Sequence, residues 1–298
     1  MNIAVIMRTR NSEKTLPQAL RALYSQTRQD FTLHVVDSGS TDRTLEIVAN
    51  YPAVVRHIES SSYYPGKVLN TAIQGTDADL LVFHNSCAVA LVPQALDRLL
   101  APFENARVCA TFARQVPSRD AETWVRRDYQ VSFPAHGPAP SWLPYSLPLA
   151  AMRRSAWEEH PFYTDAWGSE DVEWGYWAQR NGRQVAYVAD AVVMHSHNYN
   201  PRELYARRFI EGEADAFIHG GSDTLAGFLK RTTGAIARDV VAYLRAGDIL
   251  GIPRIPLLRL AFHWGYYRGR CWGALRARTR NTDTGRGQSL ALQNRPQK

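Results

Sequence analysis

The chain has 298 residues, of which 45% are hydrophobic and 21% charged, and its formal net charge is +7. This length and composition exclude a disulfide-stapled miniprotein and a wholly disordered chain, and fit one large α/β domain with an appended helical segment, or two small domains. The positive charge points to an anionic partner: nucleotide phosphate, lipid-linked phosphate, a membrane surface or nucleic acid.

Cys87, Cys109 and Cys271 are far apart and odd in number, with no C-x-x-C pair. Neither a disulfide framework nor a cysteine zinc site is expected, and a reducing cytoplasm fits. The opening MNIAVIMRTRN turns polar too soon for a signal peptide, and no apolar run is long enough to span a membrane.

Ile3 to Met7 is a short β-branched run ending in Arg8-Thr9-Arg10-Asn11, the pattern of a buried strand with polar groups at its carboxyl end. Ser12 to Tyr24 has helical spacing, with Leu16, Ala19, Leu20 and Leu23 on one face. A second strand, Phe31 to Val36, ends in Asp37-Ser38-Gly39-Ser40-Thr41-Asp42, and a helix follows over Arg43 to Ala49. Strand, helix, strand, helix predicts a parallel sheet whose ligands lie beyond the carboxyl ends of the strands. Asp37 at such a tip is placed to accept hydrogen bonds from a base or ribose; alternatively, the segment is a plain loop with a helix cap.

RTRN, the TLPQAL helix and VVDSGSTDRT, in this order and spacing, resemble the N-terminal half of the inverting family 2 glycosyltransferases, which have the GT-A fold. The resemblance implies a Rossmann-like, mostly parallel central sheet flanked by helices over residues 1–200, with a helical C-terminal segment over 201–298. It also implies a nucleotide site that includes Thr9, Arg10, Asp37 and Ser40. Pro65-Gly66-Lys67 and Asn70 open the next helix, which ends near Gly75. In the family this stretch helps to hold the nucleotide, so Lys67 and Asn70 join the candidates; a solvated lysine is the alternative.

Leu80 to Phe83 reads as the third core strand. In the family it ends in Asp-x-Asp, which holds a divalent metal on the donor diphosphate, but here the residues are His84-Asn85-Ser86-Cys87. Without a carboxylate, magnesium lacks its usual anchor. Three readings follow: a metal held through His84, Asn85 or Cys87, metal-independent transfer with basic residues on the diphosphate, or no catalysis. Cysteine or histidine ligands favour manganese or zinc over magnesium.

After the strand Val108 to Phe112, the run Ala113-Arg114-Gln115-Val116-Pro117 resembles an Arg-Gln-x-Pro element of family 2 enzymes that elaborate bacterial surface polysaccharides. Arg114 is the acceptor or sugar candidate there. A charged helix with Glu122, Arg126 and Arg127 is next. Residues 133–148 hold five prolines together with Trp142 and Tyr145, which predicts an irregular acceptor-side loop, and Leu149 to Arg153 predicts a returning strand.

Within Ala166 to Asn181, Ser169 is placed to cap a helix whose first turn holds Glu170 and Asp171. The helix dipole favours acids there, so a structural role is open to both. By resemblance, Asp171 is the general base that deprotonates the acceptor hydroxyl, and Glu170 positions it or the acceptor. Inversion at an anomeric carbon needs one such base. Trp167 either stacks on a sugar face or belongs to the core.

Val185 to Val188 and Ala191 to Met194 are β-like and lead to His195-Ser196-His197-Asn198. The resemblance places His195 at the metal or diphosphate, with Asn85 and Cys87 as the other metal candidates for manganese or magnesium. Helices follow over 202–217, 225–245 and 255–275, and a disordered tail is expected from about residue 277. The arginines and aromatics of the last helix suit either a membrane interface or packing on its own domain.

The expected activity is non-processive transfer of one sugar, with inversion, from a nucleotide-sugar donor to a glycan or lipid-linked acceptor. The expected location is the cytoplasm, peripheral to the inner face of the plasma membrane, with no nucleic-acid partner. The alternative is a catalytically silent nucleotide-sugar or glycan-binding protein of the same fold.

Overall fold

A computed structural model describes residues 1–280, 286–287 and 289–290. The chain divides into two compact units: residues 1–119, 129–162 and 170–196 form the first, and residues 120–128, 163–169 and those from 197 onward form the second. Two short segments from the middle of the sequence thus join the C-terminal helices, so the division is not a single cut near residue 200.

The first unit holds one sheet of β1 (Ile3–Thr9), β2 (Thr32–Asp37), β3 (Ala53–His57), β4 (Leu80–His84), β5 (Val89–Ala90), β6 (Val108–Val116), β7 (Leu149–Arg153) and β8 (Gln184–Met194), in the order β3-β2-β1-β4-β7-β6-β8-β5. β1 runs parallel to β2 and β4, β2 to β3, and β6 to β8. β7 is antiparallel to both β4 and β6, and β5 to β8. The expected mostly parallel sheet is therefore present, reversed locally by the returning strand.

Helices α1 (Leu16–Tyr24), α2 (Thr44–Val48), α3 (Pro65–Gln74), α4 (Ala95–Leu100), α5 (Thr123–Ser132), α6 (Arg154–Glu159) and α7 (Glu170–Arg180) follow in chain order, α5 beginning in the second unit. Successive strand residues face opposite sides of a sheet, and both sides are buried here. Leu80 and Val82 of β4 join a core with Leu16, Leu20 and Leu23 of α1 and Leu96 and Leu99 of α4. Leu81 and Phe83 join the opposite core, with Val68, Leu69 and Ile73 of α3 and Trp174 of α7. Each such fully buried leucine contributes on the order of 2 kcal/mol of transfer free energy. The two cores fix the carboxyl ends of β1, β2 and β4 along one edge, which carries Thr9, Asp37 and His84.

The second unit contains α8 (Pro201–His219), α9 (Leu225–Ala246) and α10 (Ile255–Thr279). Asn200 starts α8 through a capping box with Glu203. α8 and α10 meet at backbone contact because glycines line the crossing. A Cβ on Gly265 or Gly269 would overlap the carbonyl oxygen of Tyr205 or Phe209, and one on Gly273 would lie 2.6 Å from that of Glu213. The arginine and aromatic mixture of α10 is spent largely inside the unit. Arg259 is buried between Asp239 and Asp128, with its guanidinium 4.9 Å from the Trp124 ring, and Arg276 is buried against Glu213. Arg208 lies 4.0 Å over Phe262.

α10 continues to Thr279, so residues 277–279 are helical. The remainder of the expected disordered tail lies largely outside the described residues. Among the described residues, no helix is long and apolar enough to cross a membrane.

Candidate active site

The loop after β2 is organised by Asp37, which is 1% exposed. Its Oδ1 accepts from the hydroxyls of Thr9, at 2.9 Å, and Ser40, while its Oδ2 accepts from the backbone N–H groups of Gly39 and Ser40 at 3.1 and 2.9 Å. Gly39 adopts φ 76°, and a Cβ there would sit 2.8 Å from Ser60 Oγ. Thr9, Asp37 and Ser40 are thus gathered by hydrogen bonds at the carboxyl ends of β1 and β2. The carboxylate shapes the loop, however, and a ribose contact would require it to give up one of these bonds.

Arg10 follows at the end of β1. It is half-buried, and its Nη1 is a buried donor with no hydrogen-bond partner among the described residues. Such a donor is costly to leave unmet, and an anionic oxygen is the acceptor that relieves it best. Lys67 is exposed in the first turn of α3, with Nζ 5.2 Å from the Tyr64 ring. Asn70 is engaged within the first unit. Its Nδ2 donates to the Phe162 carbonyl at 2.8 Å, and its Oδ1 accepts from Trp157 Nε1 at 2.9 Å and Phe162 N at 3.0 Å. These bonds tie Asn70 to Trp157 and Phe162 and leave one Nδ2 hydrogen unassigned among them.

At the end of β4, His84 is 2% exposed. Its Nδ1 donates to the Asn85 carbonyl at 3.0 Å, its Nε2 has no partner among the described residues, and burial lowers its pKa to about 4. The Asn85 N–H donates to the Pro148 carbonyl at 3.0 Å, and Ser86 and Ser12 share a hydroxyl hydrogen bond of the same length. Cys87 is not in a disulfide, and its sulfur lies within 4.8 Å of a ring nitrogen of His195. His195 donates from Nδ1 to Gln115 Oε1 at 3.0 Å, and Gln115, 4% exposed, donates from Nε2 to Ser146 Oγ at 2.9 Å. With the proton on Nδ1, the imidazole lone pair is on Nε2. Metal-binding histidines are held in this way by a hydrogen-bonded neighbour. The donor set at this edge is therefore a thiol and an oriented imidazole, and it fits a borderline divalent cation better than magnesium.

Glu170 and Asp171 open α7 but are held differently. Glu170, 6% exposed, pairs with Arg8 Nη1 at 2.9 Å. Burial opposes the Arg8 charge, but Tyr63, Glu170 and Asp171 outweigh it and hold the guanidinium pKa above its ordinary value. Asp171 is half-buried; its Oδ2 accepts from the Leu147 N–H at 3.2 Å and its Oδ1 from the Val172 N–H at 2.9 Å. Tyr145, fully buried, is held as the neutral phenol well above its ordinary pKa by burial and then by the Asp171 charge. The stretch from Tyr145 to Pro148 thus touches Gln115, Asp171 and Asn85 in turn.

Two further expectations change. Ser169 has φ 57°, in the left-handed region and not the extended conformation of a capping residue. Trp167 is 4% exposed and belongs to the second unit, so it is a core residue and not an open platform for a sugar. Arg114 is half-buried on β6, and its Nε is buried without a partner among the described residues. Sequence reasoning passed over Arg8, Ser146 and Leu147. For Arg8 a signal existed: it alternates with Thr9 on β1 and so faces the side that α7 covers.

The ordered Asp37 loop and the paired acids at the start of α7 both belong to the first unit. Residues 4–165, just over half of the chain, match glycosyl transferase family 2. The chain belongs to that family. This family 2 glycosyltransferase is 29% identical over 297 residues to the O-antigen chain rhamnosyltransferase RfbN of Salmonella typhimurium, covering 92% of this chain and 91% of the relative. It is 27% identical over 275 residues to the O-antigen chain rhamnosyltransferase WbaN of Salmonella anatum, covering 85% and 84% of the two chains. Among solved structures, a mannosyltransferase from Pyrobaculum calidifontis in complex with GDP-Man and Mn2+ superposes with a TM-score of 0.60 at 18% identity, covering 98% of this chain and 86% of the other. Residues 1–349 of TarS from S. aureus superpose with a TM-score of 0.56 at 18% identity, covering 100% and 93%. These superpositions show that the fold is GT-A.

Proposed function

We propose that this glycosyltransferase moves a single sugar, with inversion, from a nucleotide-sugar donor to a surface-glycan or lipid-linked acceptor at the cytoplasmic face of the membrane. The observation that carries the reading is the division of labour at the start of α7. Arg8 engages Glu170, so Asp171 is the carboxylate of the pair that takes the role of base. The names of the Salmonella relatives, matched over nearly their whole length, support an O-antigen-like acceptor and a rhamnosyl donor.

In this mechanism Asp171 accepts the proton of the acceptor hydroxyl, and that oxygen forms a bond to the anomeric carbon. The bond from that carbon to the donor diphosphate breaks on the opposite side, and its electron pair leaves with the nucleotide. Thr9, Asp37 and Ser40 shape the loop for the nucleoside, while Arg10 and Lys67 supply positive charge for the diphosphate and Arg114 for the acceptor side. Cys87 and His195, with Asn85 as a further candidate two positions before Cys87, would hold a divalent cation, which would supply charge neutralisation on the leaving diphosphate. The donor set favours manganese over magnesium.

The second reading is a nucleotide-sugar or glycan-binding protein without turnover, favoured by the absence of a carboxylate from residues 84–87. Calorimetric titration with UDP, dTDP and GDP, with manganese and with a chelator, followed by transfer assays on the wild type and Asp171→Asn, separates the two. Transfer that falls at least about a hundredfold in the variant, with nucleotide affinity kept, supports the base assignment. Nucleotide binding without transfer in the wild type would favour the silent protein.

A further inference from the structure

We propose that the turn between α9 and α10 is a membrane-docking edge that settles on a bilayer surface bearing anionic headgroups. This deepens the reading of a lipid-linked acceptor by naming the surface that meets the lipid. The aromatics of α10, which the sequence made candidates for that role, are largely occupied by packing: Trp264 stacks on Tyr267 at 5.3 Å and meets Phe228 at 5.4 Å. Several large apolar side chains left in solvent lie instead in the turn before α10 and at the helix ends beside it.

Leu250 is 94% exposed and Ile249 is 65% exposed, side by side in the 3-10 turn Ile249–Arg254. The helix ends on either side continue the theme. Val241 and Leu244 near the end of α9, and Leu257 and Leu260 at the start of α10, are exposed and spaced three apart, so each pair lies on one helix face. The turn is held in shape: Gly247 takes φ 71°, Asp248 accepts from the Gly251 N–H at 3.2 Å and from Thr123 Oγ1 at 2.9 Å, and Tyr243 packs against Gly251. A fixed turn presenting adjacent isoleucine and leucine tips has no internal reason to expose them.

Charge selects the occupant. The sole acid between residues 241 and 260 is Asp248, which is turned to Gly251 and Thr123, whereas Arg245 and Arg254 are exposed beside the tip. Arg254 keeps a 62% exposed side chain while touching Glu122 at 3.2 Å. Apolar tips between two arginines complement acyl chains and lipid phosphate. A second copy of the same surface would bring arginine against arginine across a two-fold axis. No described helix spans a bilayer, so the contact is in the plane of the surface.

The test is sedimentation of the full chain with vesicles of phosphatidylcholine alone and with phosphatidylglycerol added. The wild type is expected to bind the anionic vesicles, less at high salt. Ile249→Glu with Leu250→Glu should weaken binding at least about tenfold. Arg245→Gln and Arg254→Gln should each weaken it roughly fivefold on anionic vesicles only. Circular dichroism and thermal midpoint, measured in parallel, are expected to match the wild type and so separate lost docking from lost folding. Absence of wild-type binding, or equal binding by the folded tip variant, overturns the proposal. So does a wild-type dimer that the tip variant disperses, which would make a second copy the occupant. Vesicle binding without nucleotide binding would leave the docking edge standing and remove the transferase reading.

Discussion

His195 gives its Nδ1 proton to the side-chain oxygen of Gln115 at 3.0 Å, and Gln115 is itself anchored by a 2.9 Å bond to Ser146. This bond assigns the imidazole lone pair to Nε2 and limits rotation of the ring. Gln115→Leu should therefore weaken cation binding by roughly ten- to a hundredfold, with Gln115→Glu keeping most of it. Cobalt titration followed by absorption checks this without any turnover. The thiolate band should vanish in Cys87→Ser and persist, at higher cobalt concentration, in Gln115→Leu. Identical titrations for wild type and Gln115→Leu would deny Gln115 its positioning role.

Glu170 and Arg8 form an ion pair in which both partners are mostly out of water. Removing one leaves the other charge uncompensated, so Glu170→Gln should cost roughly 3 kcal/mol of stability. Arg8→Met combined with Glu170→Leu should cost less than the sum of the single changes. Urea midpoints for the wild type, Arg8→Met, Glu170→Leu and the double variant decide the coupling. Additive losses would mean that the pair is not coupled.

The buried His84, with its pKa lowered to about 4, makes stability depend on pH. Unfolding exposes it and returns its affinity for protons to that of a pKa near about 6.5, so the unfolded chain binds the extra proton. Its contribution is complete above about pH 6.5 and is lost as pH falls toward 4, at up to about 1.4 kcal/mol per pH unit. Urea midpoints at pH 7 and pH 5 should fall further for the wild type than for His84→Gln. An equal drop in both would remove His84 as the source.

The crossing of α8 and α10 has no room for a side chain at Gly269, where a Cβ would overlap the Phe209 carbonyl. Gly269→Val should force the helices apart and cost roughly 1–3 kcal/mol or more. The readout is the thermal midpoint together with protease cleavage of the helical unit. Gly182→Ala is the comparison, because that glycine has open space but φ 66° and should show only backbone strain.

Much of the sheet was legible because its central strands are continuous apolar runs ending abruptly in polar residues. β3 was not, since Ala53–His57 is an edge strand that leaves Val54 and Val55 exposed and lacks such a run. Asp37, Asp171 and His195 could be picked out from local motifs, but the partners that define their chemistry could not. Arg8 and Glu170 are 162 positions apart, and Asn70 and Phe162 are 92 apart, so only folding joins them. Trp167 shows the same limit: its residue type suits a sugar platform and a core equally, and burial decides. The arginines of α10 left two readings open for a related reason, because the acids that neutralise Arg259 and Arg276 lie on other segments.

The stretch from Tyr145 to Pro148 also marks a boundary within the loop that precedes it. Residues 135–138 are exposed and Trp142 is 52% exposed, whereas burial sets in at Pro144 and continues into β7. Substitutions at residues 135–138 and at Trp142 therefore meet solvent, whereas substitutions from Pro144 onward disturb packing. On the proposed mechanism, sequence change at the exposed positions leaves untouched the backbone and hydroxyl contacts that Ser146, Leu147 and Pro148 make to Gln115, Asp171 and Asn85.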